Sequence, residues 1–376
     1  MRNTVLNKIV GSFTLLLLLM LALTHADAAS PTLVQAKQEA EAKGYIFFTT
    51  HDEIVAMAKK EGRLRVGTAL EPSNFKPLIS AFKQKYPFIT GIRVEEISGP
   101  EADQRFLLEV RAGQAKGWDI ASIFIDFAKE YPPYLMKHDI LGMAEHGVLK
   151  IHPRMVHPGE RNIVSVTSII QVVASNRKLI SEDKVPNTWE DFLKPEFKGK
   201  KFVMDLRPFA LPALVPAWGL ERTLDFARKL AAQQPVWARG ATRIITAIAA
   251  GEYSLFLGPN FGAVKRAMAK EQTGSLSYKV IEPVPTRIVD YASGILNTTE
   301  HPHAALLWLE FLASPEAQEI IDKYEPLKAS VFSPNSAVAQ EVRGRELSVI
   351  DWNHFTNFQE YTEKIIAAFG FPKADK

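Results

Sequence analysis

Short apolar runs and helix-period stripes alternate along this chain. Leu33 to Lys43 and Asp52 to Lys60 read as surface helices, the second with Thr50 as N-cap and Gly62 just past its end. Arg63 to Ala69 is the first strand, running into the turn Glu71-Pro72-Ser73-Asn74. A helix over Phe75 to Tyr86 follows, with Leu78, Ile79, Phe82 and Tyr86 on one face. Ile92 to Ile97 and Trp118 to Phe124 are further strands, separated by a helix from Glu101 to Ala115. This β-α-β-α-β order predicts a parallel sheet with right-handed crossovers and strand ends along one edge. Thr68, Ser73, Asn74 and Asp126 are candidate cleft residues at that edge; capping or turn chemistry is the competing reading for each.

Tyr131 to Asn162 is loop-rich, and its histidines, His138, His146, His152 and His157, fit no metal-ligand spacing. They read as exposed loop residues. Ile163 to Ser175, IVSVTSIIQVVAS, is a β-rich run long enough to pass from one domain to another. Lys201 to Met204 is a strand ending in Asp205-Leu206-Arg207. Pro208, Pro212 and Pro216 then exclude a regular helix interior. A helix from Leu220 to Ala232 precedes the stretch on which the chain converges, RGATRIITAIAAGEYSLFLGPNFGAVKRAM. There Thr242 sits at a helix start, Ile244, Ile245 and Ile248 form a stripe, and Gly251 closes the helix. Glu252 to Leu257 reads as a buried strand broken by Gly258-Pro259-Asn260, with a helix beginning at Phe261. Such a strand–turn–helix unit presents backbone N–H groups and side chains at a sheet's carboxyl edge, where α/β folds bind ligands. Asp205, Arg207, Thr242, Asn260 and Phe261 join the candidate site on this ground.

A second crossing is expected from Pro283 to Thr286, with Tyr291 beyond it as a further candidate. The tail, Phe358 to Phe369, is amphipathic and is expected to pack on the first domain. The expected units are residues 29–169 with 286–376 as one lobe and 170–285 as the other.

The first 28 residues read as a signal peptide. Arg2 and Lys8 precede the apolar run Ile9 to Leu23, and Ala26-Asp27-Ala28 offers a cleavage site. There are no cysteines, so an exported chain of this size relies on core burial and has no lipid anchor on cysteine. Periplasmic export as a monomer is the expectation. Lys plus Arg is 45 against 42 Asp plus Glu, which provides no electrostatic footprint for nucleic acid.

The stretch HPHAALLWLEFLASPEAQEII resembles one found in periplasmic solute-binding proteins of ABC transporters. KKEGRLRVGTA, PNTWEDFLKPEFKGKKFVM and AAGEYSLFL follow the same family order, especially that of the ferric-iron-binding branch. The resemblance covers nearly all of the chain beyond the leader. It implies an α/β, two-lobed type II binding fold, each lobe a mostly parallel sheet flanked by helices. It also implies a hinge on two crossing strands near Ile170 and Pro283, a ligand clamped between lobes, and delivery to a membrane permease. The iron-binding members place adjacent tyrosines where this chain has Phe261-Gly262. Ferric ion wants anionic oxygen, which Phe and Gly do not supply. The implied solute is therefore iron(III) or a small organic molecule.

Arg207, Arg239, Arg243 and Arg287 near the predicted strand ends face Glu71, Asp126, Asp205 and Asp290, leaving the ligand's charge open. No catalytic motif of the Gly-x-Ser-x-Gly or His-Glu-x-x-His kind is present, and no cofactor or metal site is expected. An exported enzyme and a ligand-sensing partner protein remain as alternatives on the same fold.

Overall fold

The computed structural model describes residues 31–289 and 291–371, so the leader and Asp290 lie outside the described residues. Leu64 and Val66 are buried in β1 (Arg63–Thr68), which pairs in parallel with β2 (Gly91–Glu96) and β3 (Ile120–Phe124). Helices Phe75–Lys85 and Pro100–Arg111 make the two connections, so the expected β-α-β-α-β unit is present. Further strands are β4 (Ile163–Val164), β5 (Ile169–Asn176), β6 (Val203–Asp205), β7 (Val236–Ala238), β8 (Leu255–Asn260), β9 (Leu276–Lys279), β10 (Val284–Arg287), β11 (Tyr291–Ile295) and β12 (Leu347–Ile350).

They form two sheets. The first has the order β2-β1-β3-β11-β4, and the second β12-β10-β5-β8-β6-β7 with β9 paired to β5. The chain changes sheet between Val164 and Ile169, and again between Arg287 and Tyr291. Both changes fall within a few residues of the crossings expected from sequence. Two sheets flanked by helices and joined by two short crossings make a two-lobed α/β molecule.

The helix Pro302–Ala313 is apolar all round, and every residue from Ala304 to Ala313 is buried. A helix without a polar face has to sit inside the core. Its Glu310 is accommodated by His51 Nε2 at 2.7 Å, the Lys150 amide at 2.7 Å and the Tyr86 hydroxyl at 3.4 Å. Burial pushes this carboxyl up, but the hydrogen bonds from His51 and the Lys150 amide outweigh it, and the group ends below its ordinary value.

Three expectations are corrected. The Gly258-Pro259-Asn260 segment does not end the strand: β8 runs through it to Asn260, opposite Gln171, and the register shifts between Gln171 and Val173. A bulge absorbs the glycine and proline without ending the pairing. The tail helix Phe358–Ala368 packs on helix Leu220–Ala232 of the second lobe, with Ile365 and Phe369 buried beside Leu224 and Leu230. β12 pairs with β10 at the edge of the second sheet and so carries the tail there. Finally, His138 is buried, not exposed; burial, aided by the charge of His303, pushes it down to about 3.

Candidate functional site

Four pieces of the second lobe converge on a cavity of about 130 Å³. The end of β6 and the turn after it bring Asp205 and Arg207, and the bulged end of β8 brings Gly258, Pro259 and Asn260. The two strands next to the crossings add Gln171 from β5 and Arg287 from β10. The parallel pairing of β6 with β8 places their carboxyl ends side by side, the edge at which open α/β sheets bind ligands.

The local geometry is tight. Gly258 has φ +79°, and a Cβ there would come within 2.4 Å of Ala210 Cβ. Only glycine meets both demands. Asp205 is buried and its Oδ1 accepts the Arg207 amide at 3.0 Å, which folds the turn so that Arg207 stays at the cavity. Asn260 Oδ1 accepts the Ala263 amide at 3.1 Å and caps the helix Phe261–Lys270. The guanidinium of Arg287 lies between two rings, 5.4 Å from the centroid of Phe209 and 5.5 Å from that of Phe358. Gln171 is 2% exposed, and its Oε1 finds no hydrogen-bond partner among the described residues. Two guanidiniums, one buried carboxylate and two amide side chains make a set rich in donors.

Of the residues read from sequence, Asp205, Arg207 and Asn260 come together here. Thr68 and Tyr291 line a separate recess of about 30 Å³ on the first lobe, with Ser293 and Lys328. The Tyr291 hydroxyl accepts the Gly99 amide at 2.8 Å and donates to Asp103 Oδ2 at 3.2 Å. Ser73 and Asn74 serve the scaffold: Ser73 Oγ donates to the Tyr324 carbonyl at 3.4 Å, and Asn74 Nδ2 donates to Glu325 Oε2 at 3.2 Å. Asn74 is 0% exposed, which removes it from contact with a solute.

Phe261 points into the core: it is 2% exposed and its ring lies 4.7 Å from that of Tyr278, so it forms no cavity wall. Thr242 is exposed in the first turn of helix Ala241–Ala250, whose neighbour Ala241 lines the cavity instead. The side chain of Asp126 lies outside the described residues. Gln171 escaped the sequence reading, although a lone amide inside IVSVTSIIQVVAS was its signal. In the sequence Arg287 is only one of four arginines near predicted strand ends.

Among the described residues, no cluster of three or more His, Asp or Glu is placed to hold a metal ion, and no helix is long and apolar enough to cross a membrane. Tyr278, which packs on Phe261, donates its hydroxyl to Glu341 at 3.1 Å.

Solved structures share this fold at low identity. The open ferric iron-binding protein A of Mannheimia haemolytica aligns with a TM-score of 0.63 and 18% identity, over 82% of this chain and 99% of that one. Trichodesmium IdiA (FutA), solved with iron and citrate, gives 0.59 and 16%, over 81% and 99%. The Atu4243-GABA receptor gives 0.57 and 19%, over 84% and 99%. No curated protein matches the sequence. Residues 119–357 match the family model described as bacterial extracellular solute-binding protein, and the chain belongs to that family.

Proposed function

We propose that this chain is the periplasmic binding component of an ABC import system, and that it captures a small organic anion between its lobes for an inner-membrane permease. The observation that carries the anion is that Arg207 and Arg287 line one cavity. Guanidinium forks match carboxylates bidentately, and the Gln171 Oε1, which has no donor among the described residues, would be satisfied by an N–H or O–H elsewhere on the same ligand. A bare ferric ion fits this set poorly, because the position of the family's tyrosine pair holds the buried Phe261 and Gly262. The structural neighbour that is a GABA receptor supports an organic carboxylate as solute in this fold. Cleavage after Ala28 would release the chain into the periplasm.

A second reading has one specific support. The Trichodesmium neighbour holds iron together with citrate, and a ferric–carboxylate chelate would present carboxylates to the same two arginines. Thermal-shift measurements separate the readings. Small amino and carboxylic acids without metal are expected to raise the melting temperature, since a ligand at a hundred times its Kd adds about 2.7 kcal/mol. Stabilisation only when iron(III) and citrate are both present would favour the chelate. A panel of carboxylates that leaves the melting temperature unchanged with and without iron would overturn the anion reading.

A further inference from the structure

A second cavity, of about 370 Å³, is walled by both lobes; Arg207 does not line it, and it meets the first only through Phe358, whose other side faces Arg287 at 5.5 Å. Lys129 and His157 stand on the first-lobe side. Trp352, Phe355 and Phe358, from the segment that follows β12, stand on the other.

The chemistry of this lining is specific. Trp352 is 5% exposed, and its indole Nε1–H finds no acceptor among the described residues, whereas buried indoles ordinarily find one. His157 Nδ1 accepts the backbone amides of Gly159 and Glu160, each at 3.1 Å. In the neutral ring that leaves the proton on Nε2, which is then a donor. The His157 ring lies against Trp352, with centroids 4.9 Å apart. Lys129 adds an exposed ammonium. Donors on one side and three aromatic rings on the other suit a flat apolar body carrying an anionic head. Glu160 also lines the cavity and opposes a second negative charge.

We infer that this cavity is a separate binding site for a small aromatic monocarboxylate, held by Trp352, His157 and Lys129 and stacked among Phe355 and Phe358. The assignment stands apart from the solute bound at Arg207. Because the walls belong to different lobes, an occupant would also bias their relative position.

Benzoate is the probe, with benzamidinium and phthalate as charge controls. In the nitrogen-15-labelled full chain, the indole cross-peak of Trp352 is assigned by its loss in Trp352→Phe. Benzoate is expected to shift that peak saturably, with at least tenfold weaker binding for benzamidinium, for phthalate and for Lys129→Ala. Arg207→Ala should leave the shift unchanged, which separates this site from the other. A Trp352 peak that stays put while benzoate saturates the protein elsewhere, or benzoate affinity unaltered by Lys129→Ala, would overturn the site. Lys129 is exposed, so that variant decides the matter even if Trp352→Phe does not fold.

Discussion

The Ser165 hydroxyl donates to the carbonyl of Ile288 at 3.0 Å and shares the same proton with the carbonyl of Tyr291 at 2.9 Å. Ser165 lies in the first crossing and both acceptors bracket the second, so one buried side chain ties together the two segments that join the lobes. Removing that donor in Ser165→Ala strips both carbonyls of a buried partner. The expected loss is about 1–3 kcal/mol of stability, read as a lower urea midpoint at unchanged slope. A midpoint equal to that of the parent would show that the bond contributes nothing.

If the crossings act as a hinge, ligand should close the lobes. Solution scattering of the chain saturated with whichever carboxylate raises its melting temperature is expected to give a smaller radius of gyration than the free chain. An unchanged radius at saturation would count against closure.

The two arginines carry the anion reading. Arg207→Ala and Arg287→Met are each expected to weaken the stabilising carboxylate by about 1.5–3 kcal/mol, the range for hydrogen bonds to charged groups. Calorimetric titration measures it. Arg287→Met also tests packing, because the methionine keeps apolar contact with Phe209 and Phe358 while losing the charge. Affinities matching the parent in both variants would place the solute elsewhere.

Which parts of this were legible in the sequence follows from range. Strand and helix periods, the Thr50 cap and the glycine beyond Glu61 are local, and the structure contains them. The first change of sheet was readable because the apolar run Ile163 to Ser175 is too long for one strand. The second comes after Arg287, past the expected crossing at Pro283 to Thr286, because Val284–Arg287 is itself a strand of the second sheet. The direction of the Phe261 ring was not readable, since it depends on Tyr278 from a strand that follows later. Nor was the partner of the tail helix, whose stripe would suit either lobe until β12 fixes it to β10. Ser73 and Asn74 look identical in sequence whether they meet a solute or Tyr324 and Glu325, 251 residues away.

Asp103 gives a pH signature. It is 0% exposed, and burial pushes its carboxyl up to about 6, against the opposing hydrogen bond from Tyr291. Its folded value lies above the ordinary carboxylate value, so the folded state binds the extra proton between about pH 4 and pH 6. Stability from this group therefore falls as pH rises through that window, and the penalty is complete above it. Asp103→Asn keeps an acceptor for Tyr291 and removes the charge. It is expected to stabilise the chain at pH 7 by up to roughly 3 kcal/mol, with the gain vanishing near pH 4. Urea melts at both pH values test this, and a gain of the same size at both would rule out the titration as its source.

The bulge at Gly258 makes the sharpest demand on the candidate site. Two separate costs attend Gly258→Ala: the left-handed backbone at φ +79°, and the approach of the new methyl to 2.4 Å from Ala210 Cβ. The first is worth about 1–2 kcal/mol for a residue with a side chain. The second, as overpacking of a filled site, adds about 1–3 kcal/mol. Ala210→Gly in the same chain removes the colliding methyl but leaves the backbone cost, so the double variant is expected to recover only part of the loss. Ala210 is buried, so its own replacement by glycine has to be measured alone and entered in a double-mutant cycle. A favourable coupling of about 1 kcal/mol or more would locate the clash where the geometry puts it. Strictly additive losses would mean that β8 moves away from Ala210 as a unit. Asp205, Arg207 and Asn260 would then be displaced relative to one another, and carboxylate affinity should fall in Gly258→Ala even where its stability loss is small.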